Sequence, residues 1–514
     1  MKYAFLFAFW AFLGVEGVFS QPEIEWQRSF GGGNTEEANS IIQTTDGGYA
    51  VAGYTASMNG DIFGHHGYYD CWVLKLDAGG NIEWKKLYGG NSLEFAYDIE
   101  QTPDGGYIFA GITFSENGQV SGHQGKGDYW VVKIDANGEI QWQRTLGGSE
   151  RDEAQAIKLT LDGGYIVAGS SESSDGDVAL NRGGKDYWVV KLNSLGDIEW
   201  ERSYGGAGYD LCWSMAVCSD GGYILAGQSN SLDGQVSSPF NNGDYWVVKL
   251  NFDGKIEWEK SFGGNSIDSA FEVLESRHGG FTVLGQASSS SGQVIGHHGS
   301  FDLWVVKLDE IGELIWQSTL GGSSLEYANG FAQTEDGGYV LLGSTQSTDG
   351  DVMGNDGGAD LWVVKINQIG ELMWQKTMGG TKAEFGYDIV QTAEGGYITA
   401  GFSFSNNGDV TQNKGKTDFW IVKLSKETTH TQEPLTRTLQ IYPNPANKTI
   451  HLQIPNSSSE PLEITLFSPA GQEMRRFSAQ SSAGVDVSIL PVGVYSVRAQ
   501  TLEGVVYLGR FTKS

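Results

Sequence analysis

Three cysteines in 514 residues, Cys71, Cys212 and Cys218, exclude a disulfide framework. Cys212 and Cys218 sit on one expected strand; at ~3.3 Å of rise per residue they stand roughly 20 Å apart, so they cannot bridge locally. Stability therefore has to come from buried apolar area. Basic residues are also scarce, 33 against 63 acidic ones, which leaves a formal charge of −30. That balance argues against nucleic acid and anionic membrane surfaces, and is compatible with divalent cations, basic partners or neutral glycans. Long apolar runs are missing except at the start. There Lys2, the run Tyr3–Val15 and the segment Val18-Phe19-Ser20 read as a secretory signal peptide over residues 1–20, cut between Ser20 and Gln21. The run is shorter than the ~20 residues a spanning helix needs, so no transmembrane segment is expected. Sustained helical periodicity is absent as well, which points to an all-β chain.

What the chain has instead is a sentence repeated seven times. One tryptophan recurs at Trp26, Trp84, Trp142, Trp200, Trp258, Trp316 and Trp374, a second at Trp72, Trp130, Trp188, Trp246, Trp304, Trp362 and Trp420, each with a period of 58 residues. A fixed period of this length marks an array of one supersecondary unit. Within a unit, four segments rich in Val, Ile, Tyr, Trp and Thr are bounded by Gly, Asn or Asp and read as strands. In the second unit these are Phe95–Thr102, Gly106–Thr113, Tyr129–Ile134 and Glu139–Leu146. The two middle ones are almost continuously apolar, as in a sheet buried on both faces. Four-stranded antiparallel units packed face to face make a β-propeller of seven blades over residues 21–424. The last unit lacks an Ile-x-Trp strand, and the chain begins with a spare one, Ile24–Phe30. That strand is expected to complete the last blade and close the ring.

Polar residues that recur in every unit most often serve the blade, whereas catalysis needs a group once. Three sets recur: Asp70, Asp128, Asp186, Asp244, Asp302, Asp360 and Asp418; the acidic position after Gly-Gly (Glu36, Glu94, Asp152, Asp210, Asp268, Glu326 and Glu384); and Lys75, Lys133, Lys191, Lys249, Lys307, Lys365 and Lys423. A buried ammonium needs a partner. The Asp-Gly-Gly turns supply one at Asp46, Asp104, Asp162, Asp220 and Asp336, while His278 and Glu394 stand there in the fifth and seventh units. The acidic ring is expected to cap backbone amides between blades.

Long loops rich in Ser, Gly, Asn and Asp gather on the face opposite the tight turns, where a ligand site is expected. Two of them carry Asp175-Gly176-Asp177 and Asp349-Gly350-Asp351. These four aspartates are the candidate calcium ligands, with loop-ordering Asx turns as the competing role. Beyond calcium no cofactor is implied. His65-His66, His123 and His297-His298 fall on separate units, so exposed loop histidines are expected rather than a metal cluster. Trp213 lies in an inner strand, where packing is its expected role and sugar stacking in the channel the alternative. No catalytic constellation stands out.

Composition shifts after Leu424. Residues 425–438 read as a polar linker, and residues 439–514 lack tryptophan, hold six of the ten prolines and alternate as a small Ig-like β-sandwich. In this tail Ile441-Tyr442-Pro443-Asn444-Pro445-Ala446, Ile464-Thr465-Leu466-Phe467 with Ala470-Gly471, Leu490-Pro491 with Gly493-Val494-Tyr495, and the closing Gly509-Arg510-Phe511 occur in order. The tail resembles the type A C-terminal sorting domain of the Bacteroidetes type IX secretion system. The resemblance implies passage through the periplasm, handling of residues 439–514 by the type IX machinery, and release or display at the outer-membrane surface. The repeats resemble propeller units of secreted Bacteroidetes proteins, some of which carry an endoglucanase-like label. Together these readings describe a monomeric, secreted or surface-held binding or scaffold module for glycans or proteins. The alternative is a glycan-active hydrolase using carboxylates of the long-loop face.

Overall fold

The computed structural model describes residues 18–237, 243–355, 357–430, 437–453, 461–468, 473–480, 484–500 and 506–514. Among them every regular element is a β-strand. They form two compact units, Gln21–Glu427 and Thr428–Ser514, the latter together with Val18–Ser20, which pairs with Thr428–His430. The rest of the expected signal peptide lies outside the described residues.

The first unit is a propeller of seven four-stranded antiparallel blades. In the second blade the strands are Glu94–Gln101, Tyr107–Thr113, Asp128–Ile134 and Ile140–Leu146, paired in that order from the inside outwards. The second and third strands are buried at every position, which is why they read as unbroken apolar runs. The seventh blade is built from Glu384–Gln391, Tyr397–Ser403, Asp418–Leu424 and the N-terminal Ile24–Phe30. Ile24 pairs with Leu424 and Phe30 with Phe419. Trp420 Nε1 donates to Gln27 Oε1 at 2.9 Å, and the Ile41 amide to Asp388 Oδ2 at 2.8 Å, which joins the seventh blade to the first.

Each core lies between two blades. The core of the first–seventh junction contains Phe30, Ile41, Val51, Trp72, Ile398 and Phe419. The inner tryptophans are fully buried. Tyr129 packs at 4.6 Å and a tilt of 58° on Trp188 of the next blade and donates to its carbonyl at 2.9 Å. The outer tryptophans pack against the aromatic residue that follows each Gly-Gly turn, as Trp84 does edge-on on Tyr107 at 5.9 Å and Trp258 on Phe281 at 5.5 Å. The outer hairpin glycines make room for them. Gly80 has φ 77°, and a Cβ there would meet Trp26 at 2.8 Å. The three cysteines are buried and unpaired.

The Gly-Gly segments close the blade junctions. The second glycine's amide donates to the acidic residue four positions on, as Gly32 does to Glu36 at 2.7 Å and Gly148 to Asp152 at 2.8 Å. Thr55 Oγ1 donates to the other oxygen of Glu36 at 2.7 Å. The first glycine fills the gap between two carboxylates from neighbouring blades. A Cβ on Gly379 would lie 2.5 Å from both Asp360 Oδ1 and Glu384 Oε2. Gly379→Ala is therefore expected to lower stability by about 1–3 kcal/mol, the usual scale of overpacking. Calorimetry checks this, and an unchanged Tm would mean that the junction re-spaces freely.

The second unit holds a five-stranded sheet, ordered Arg437–Thr438, Val506–Lys513, Gly493–Gln500, Pro461–Phe467, Glu473–Gln480, and a three-stranded one of Gln440–Tyr442, Thr449–Gln453 and Gly484–Asp486. Leu439, Ile450, Leu452, Ile464, Val497 and Phe511 form its core.

Candidate functional site

The inner strands break register at one equivalent position in every blade, between Ala38 and Ser40 in the first and between Cys212 and Ser214 in the fourth, for example. A β-bulge leaves its extra residue unpaired and re-aims the side chain. The seven extra residues are Asn39, Tyr97, Gln155, Trp213, Phe271, Asn329 and Tyr387, and all of them line a central cavity of about 460 Å³. The blades differ here.

The walls combine aromatic faces with carboxylates. Tyr54 packs edge-on against Phe95 at 4.7 Å, and Trp213 leans on Phe271 at 5.9 Å. Trp213 Nε1 is buried, and among the described residues nothing accepts its proton. Sugar stacking thus becomes geometrically open to Trp213, whose ring lines the channel.

Below the aromatics lies a ring of acids around one cation. Lys158 Nζ is 2.7 Å from Asp98 Oδ2 and 2.9 Å from Glu100 Oε1. Burial alone would discharge this ammonium, but the two carboxylates outweigh it and hold it charged. Asp388 Oδ2 accepts the Ile41 amide at 2.8 Å and the Ser40 hydroxyl at 3.3 Å; burial still pushes its pKa up to about 6. Glu272 accepts a 3.2 Å bond from Ser214 Oγ, and burial pushes it up to about 8. At neutral pH Glu272 is mostly a neutral acid and can donate a proton. Burial also raises Glu37, against the hydroxyls of Tyr54 and Tyr387.

Glu272, Asp388, Asp98 and Lys158 escape a reading built on what recurs. The signal for the three acids lies in the variable column Ser40, Asp98, Ala156, Ser214, Glu272, Gly330 and Asp388, and that for Lys158 in the column Ile42, Glu100, Lys158, Ala216, Leu274, Ala332 and Val390, equivalent positions that carry different chemistry.

The recurrent sets sit elsewhere. The lysines reach the tight turns, Lys191 meeting Asp162 and Glu199 each at 2.9 Å. The aspartates before the inner tryptophan are buried at the blade junctions and take loop amides, Gln124 N to Asp128 Oδ2 at 2.6 Å and Arg182 N to Asp186 Oδ2 at 2.8 Å. The four calcium candidates face backbone too. Asp175 accepts Ser149 N at 2.7 Å, Asp177 accepts Gly147 N at 3.2 Å, Asp349 accepts Ser323 N at 2.7 Å and Asp351 accepts Gly321 N at 3.1 Å. Among the described residues no group of three or more His, Cys, Asp or Glu is arranged to hold a metal. The histidines stay on separate blades, His66 and His298 each lying 3.3 Å from the aspartate of their own unit.

Residues 440–508 match the family described as secretion system C-terminal sorting domain. The tail is a type IX sorting domain. Through it the protein is handled by the type IX machinery and exported to the cell surface or released. Among the described residues no helix is long and apolar enough to cross a membrane. Upstream of the sorting domain, similarity is remote. The regulatory protein FlaEY of Caulobacter vibrioides is 24% identical over 211 residues, 37% of this chain and 21% of its own length, so the chain spans about a fifth of that relative. The crystal structure of puromycin hydrolase covers 92% of this chain and 60% of its own at 11% identity and a TM-score of 0.43. The extracellular domain of a one-component system from B. thetaiotaomicron covers 92% of this chain and 80% of its own at 10% identity and a TM-score of 0.28. Likenesses this distant carry nothing about activity; the propeller is defined by its own strand pairing.

Proposed function

We propose that this exported propeller binds a glycan segment in the mouth of its central channel. The observation that carries the reading is the set of polar and aromatic side chains, five residue types on seven equivalent bulges around one cavity, with the indole N–H of Trp213 unpartnered among the described residues. A cavity of about 460 Å³ suits a small ligand better than a protein surface. Aromatic faces accept the apolar side of a sugar ring, while carboxylates and the amides of Asn39, Gln155 and Asn329 serve its hydroxyls. The excess of acids favours neutral or amino sugars over uronates. This reading does not call on calcium.

The test is binding of the full chain to a glycan array, followed by calorimetry on the best ligand. Trp213→Ala is expected to weaken it roughly ten- to thirtyfold, the scale of an aromatic anchor. Equal binding by wild type and variant would remove the channel from the reading.

A second reading, glycan hydrolysis, is favoured by one observation. Glu272, pushed up to about 8, shares the channel with Asp388 and the Lys158-paired Asp98. A neutral acid beside other carboxylates is the makeup of acid–base glycoside cleavage. Reducing-end release that Glu272→Gln abolishes, with ligand binding retained, would promote it over simple binding.

A further inference from the structure

Each blade buries a lysine in its third strand and meets it from the tight turn. The Nζ–carboxylate distance is 2.9 Å for Lys75–Asp46, Lys133–Asp104 and Lys191–Asp162, and 2.8 Å for Lys249–Asp220 and Lys365–Asp336. In three blades an outer-strand glutamate adds a second acceptor, as Glu83 does for Lys75 at 2.9 Å. The seventh blade is weaker, with Glu394 at 4.0 Å from Lys423.

The fifth blade departs altogether. Its turn carries His278, after Arg277, where the others carry Asp or Glu, and Ile315 stands at the position of Glu83. Lys307 is 8% exposed and donates to the Gly279 carbonyl at 2.7 Å. Among the described residues no carboxylate comes within ion-pair distance of it, and desolvation pushes its pKa down to about 8. Three acids of these hairpins are engaged. Glu313 pairs with Lys260 at 2.6 Å, Asp309 Oδ1 takes the amides of Ile311 and Glu313, and Glu275 takes Ser219. Glu310 reaches the rim of the turn, its Oε1 3.3 Å from where a Cβ of Gly279 would lie. Ile311 and Ile315 are exposed on the same hairpin.

We propose that this turn binds the carboxylate of an external organic acid, seated on Lys307 Nζ where a turn aspartate sits in the sibling blades. Arg277 and His278 flank the carboxylate, and Ile311 and Ile315 give the rest of the molecule an apolar surface. In the sibling blades a carboxylate lies 2.8–2.9 Å from the equivalent ammonium; the fifth turn has a backbone of its own, with Gly280 at φ 65°. An ammonium with a carbonyl as its acceptor retains donors for a charge-assisted hydrogen bond, the stronger kind. The site is separate from the channel and does not depend on what the channel binds.

The test is a calorimetric titration of the full chain with hexanoate at pH 7, with hexanamide as the uncharged control. Saturable uptake of hexanoate with a dissociation constant on the order of millimolar is expected, and none of the amide. His278→Asp restores the sibling turn. It is expected to weaken uptake roughly tenfold or more while the Lys307 pKa, followed by NMR of its ε-carbon, rises above the wild-type value. Lys307→Met is expected to abolish uptake. No saturable uptake by wild type, equal uptake of hexanamide, or undiminished uptake by His278→Asp would each overturn the proposal.

Discussion

Removing Ile24–Phe30 from the chain is expected to abolish cooperative folding of the propeller. The segment supplies the outer strand of the last blade, paired from Ile24–Leu424 to Phe30–Phe419. It buries Phe30 in the junction core and sets Trp26 over the Gly80 turn. Without it Asp418–Leu424, buried at all seven positions, becomes an open edge with unpaired backbone groups. Exposed apolar edges of this kind recruit other chains. The truncated protein is expected to aggregate on expression and to show no sharp calorimetric transition. A permutant that carries the segment after Leu424 should recover the transition, because only the connectivity of the ring has changed. A truncated chain melting within a few degrees of the full one would show that the closing strand is dispensable.

Stability is expected to peak in mild acid and to fall toward pH 8. Burial, with a facing carboxylate from the next blade, pushes Asp128 up to about 7 and Asp186 and Asp418 up to about 6. Asp152, Asp210 and Glu36 are those facing groups. In the channel burial holds Asp388 at about 6 and Glu272 at about 8. All of these lie above the unfolded values of roughly 3.9 for Asp and 4.3 for Glu. The folded chain therefore holds more protons than the unfolded one between about pH 4 and pH 8, so stability falls as pH rises across that window. The turn aspartates work in the opposite direction. For Asp46, Asp104 and Asp162, burial, which raises the pKa, is outweighed by the threonine hydroxyl, the lysine ammonium and the glycine amide, and each is held at about 2. Their contribution is present above about pH 4 and is lost as pH falls toward 2. Calorimetry from pH 3 to pH 9 should show both limbs. Asp128→Asn removes one titrating group and is expected to shallow the fall between pH 5 and pH 8. A Tm that climbs steadily to pH 8 would refute the protonated junctions.

The blades were legible because the residues that build them recur. The second-blade strands begin and end within one residue of where Gly, Asn and Asp bound the apolar runs. The lysine–aspartate contacts were legible for the same reason, including the exception at Lys307, where His278 announces it. The channel was not. Its side chains are aimed inward by a one-residue bulge that no local sequence signal marks, and their partners come from distant blades. The junction carboxylates were half legible: the two acidic columns are plain in the repeats, but nothing in a linear reading places Asp360 Oδ1 and Glu384 Oε2 either side of Gly379.

Sequence by itself determined the number of blades, the strand that clasps them and the export tail, since each depends on short-range pattern repeated or kept in order. Tertiary structure alone decided what faces the channel. Ring closure brings Ser40 and Asp388 within 3.3 Å although 348 residues separate them, and a distance of that kind is set by the curvature of seven packed sheets.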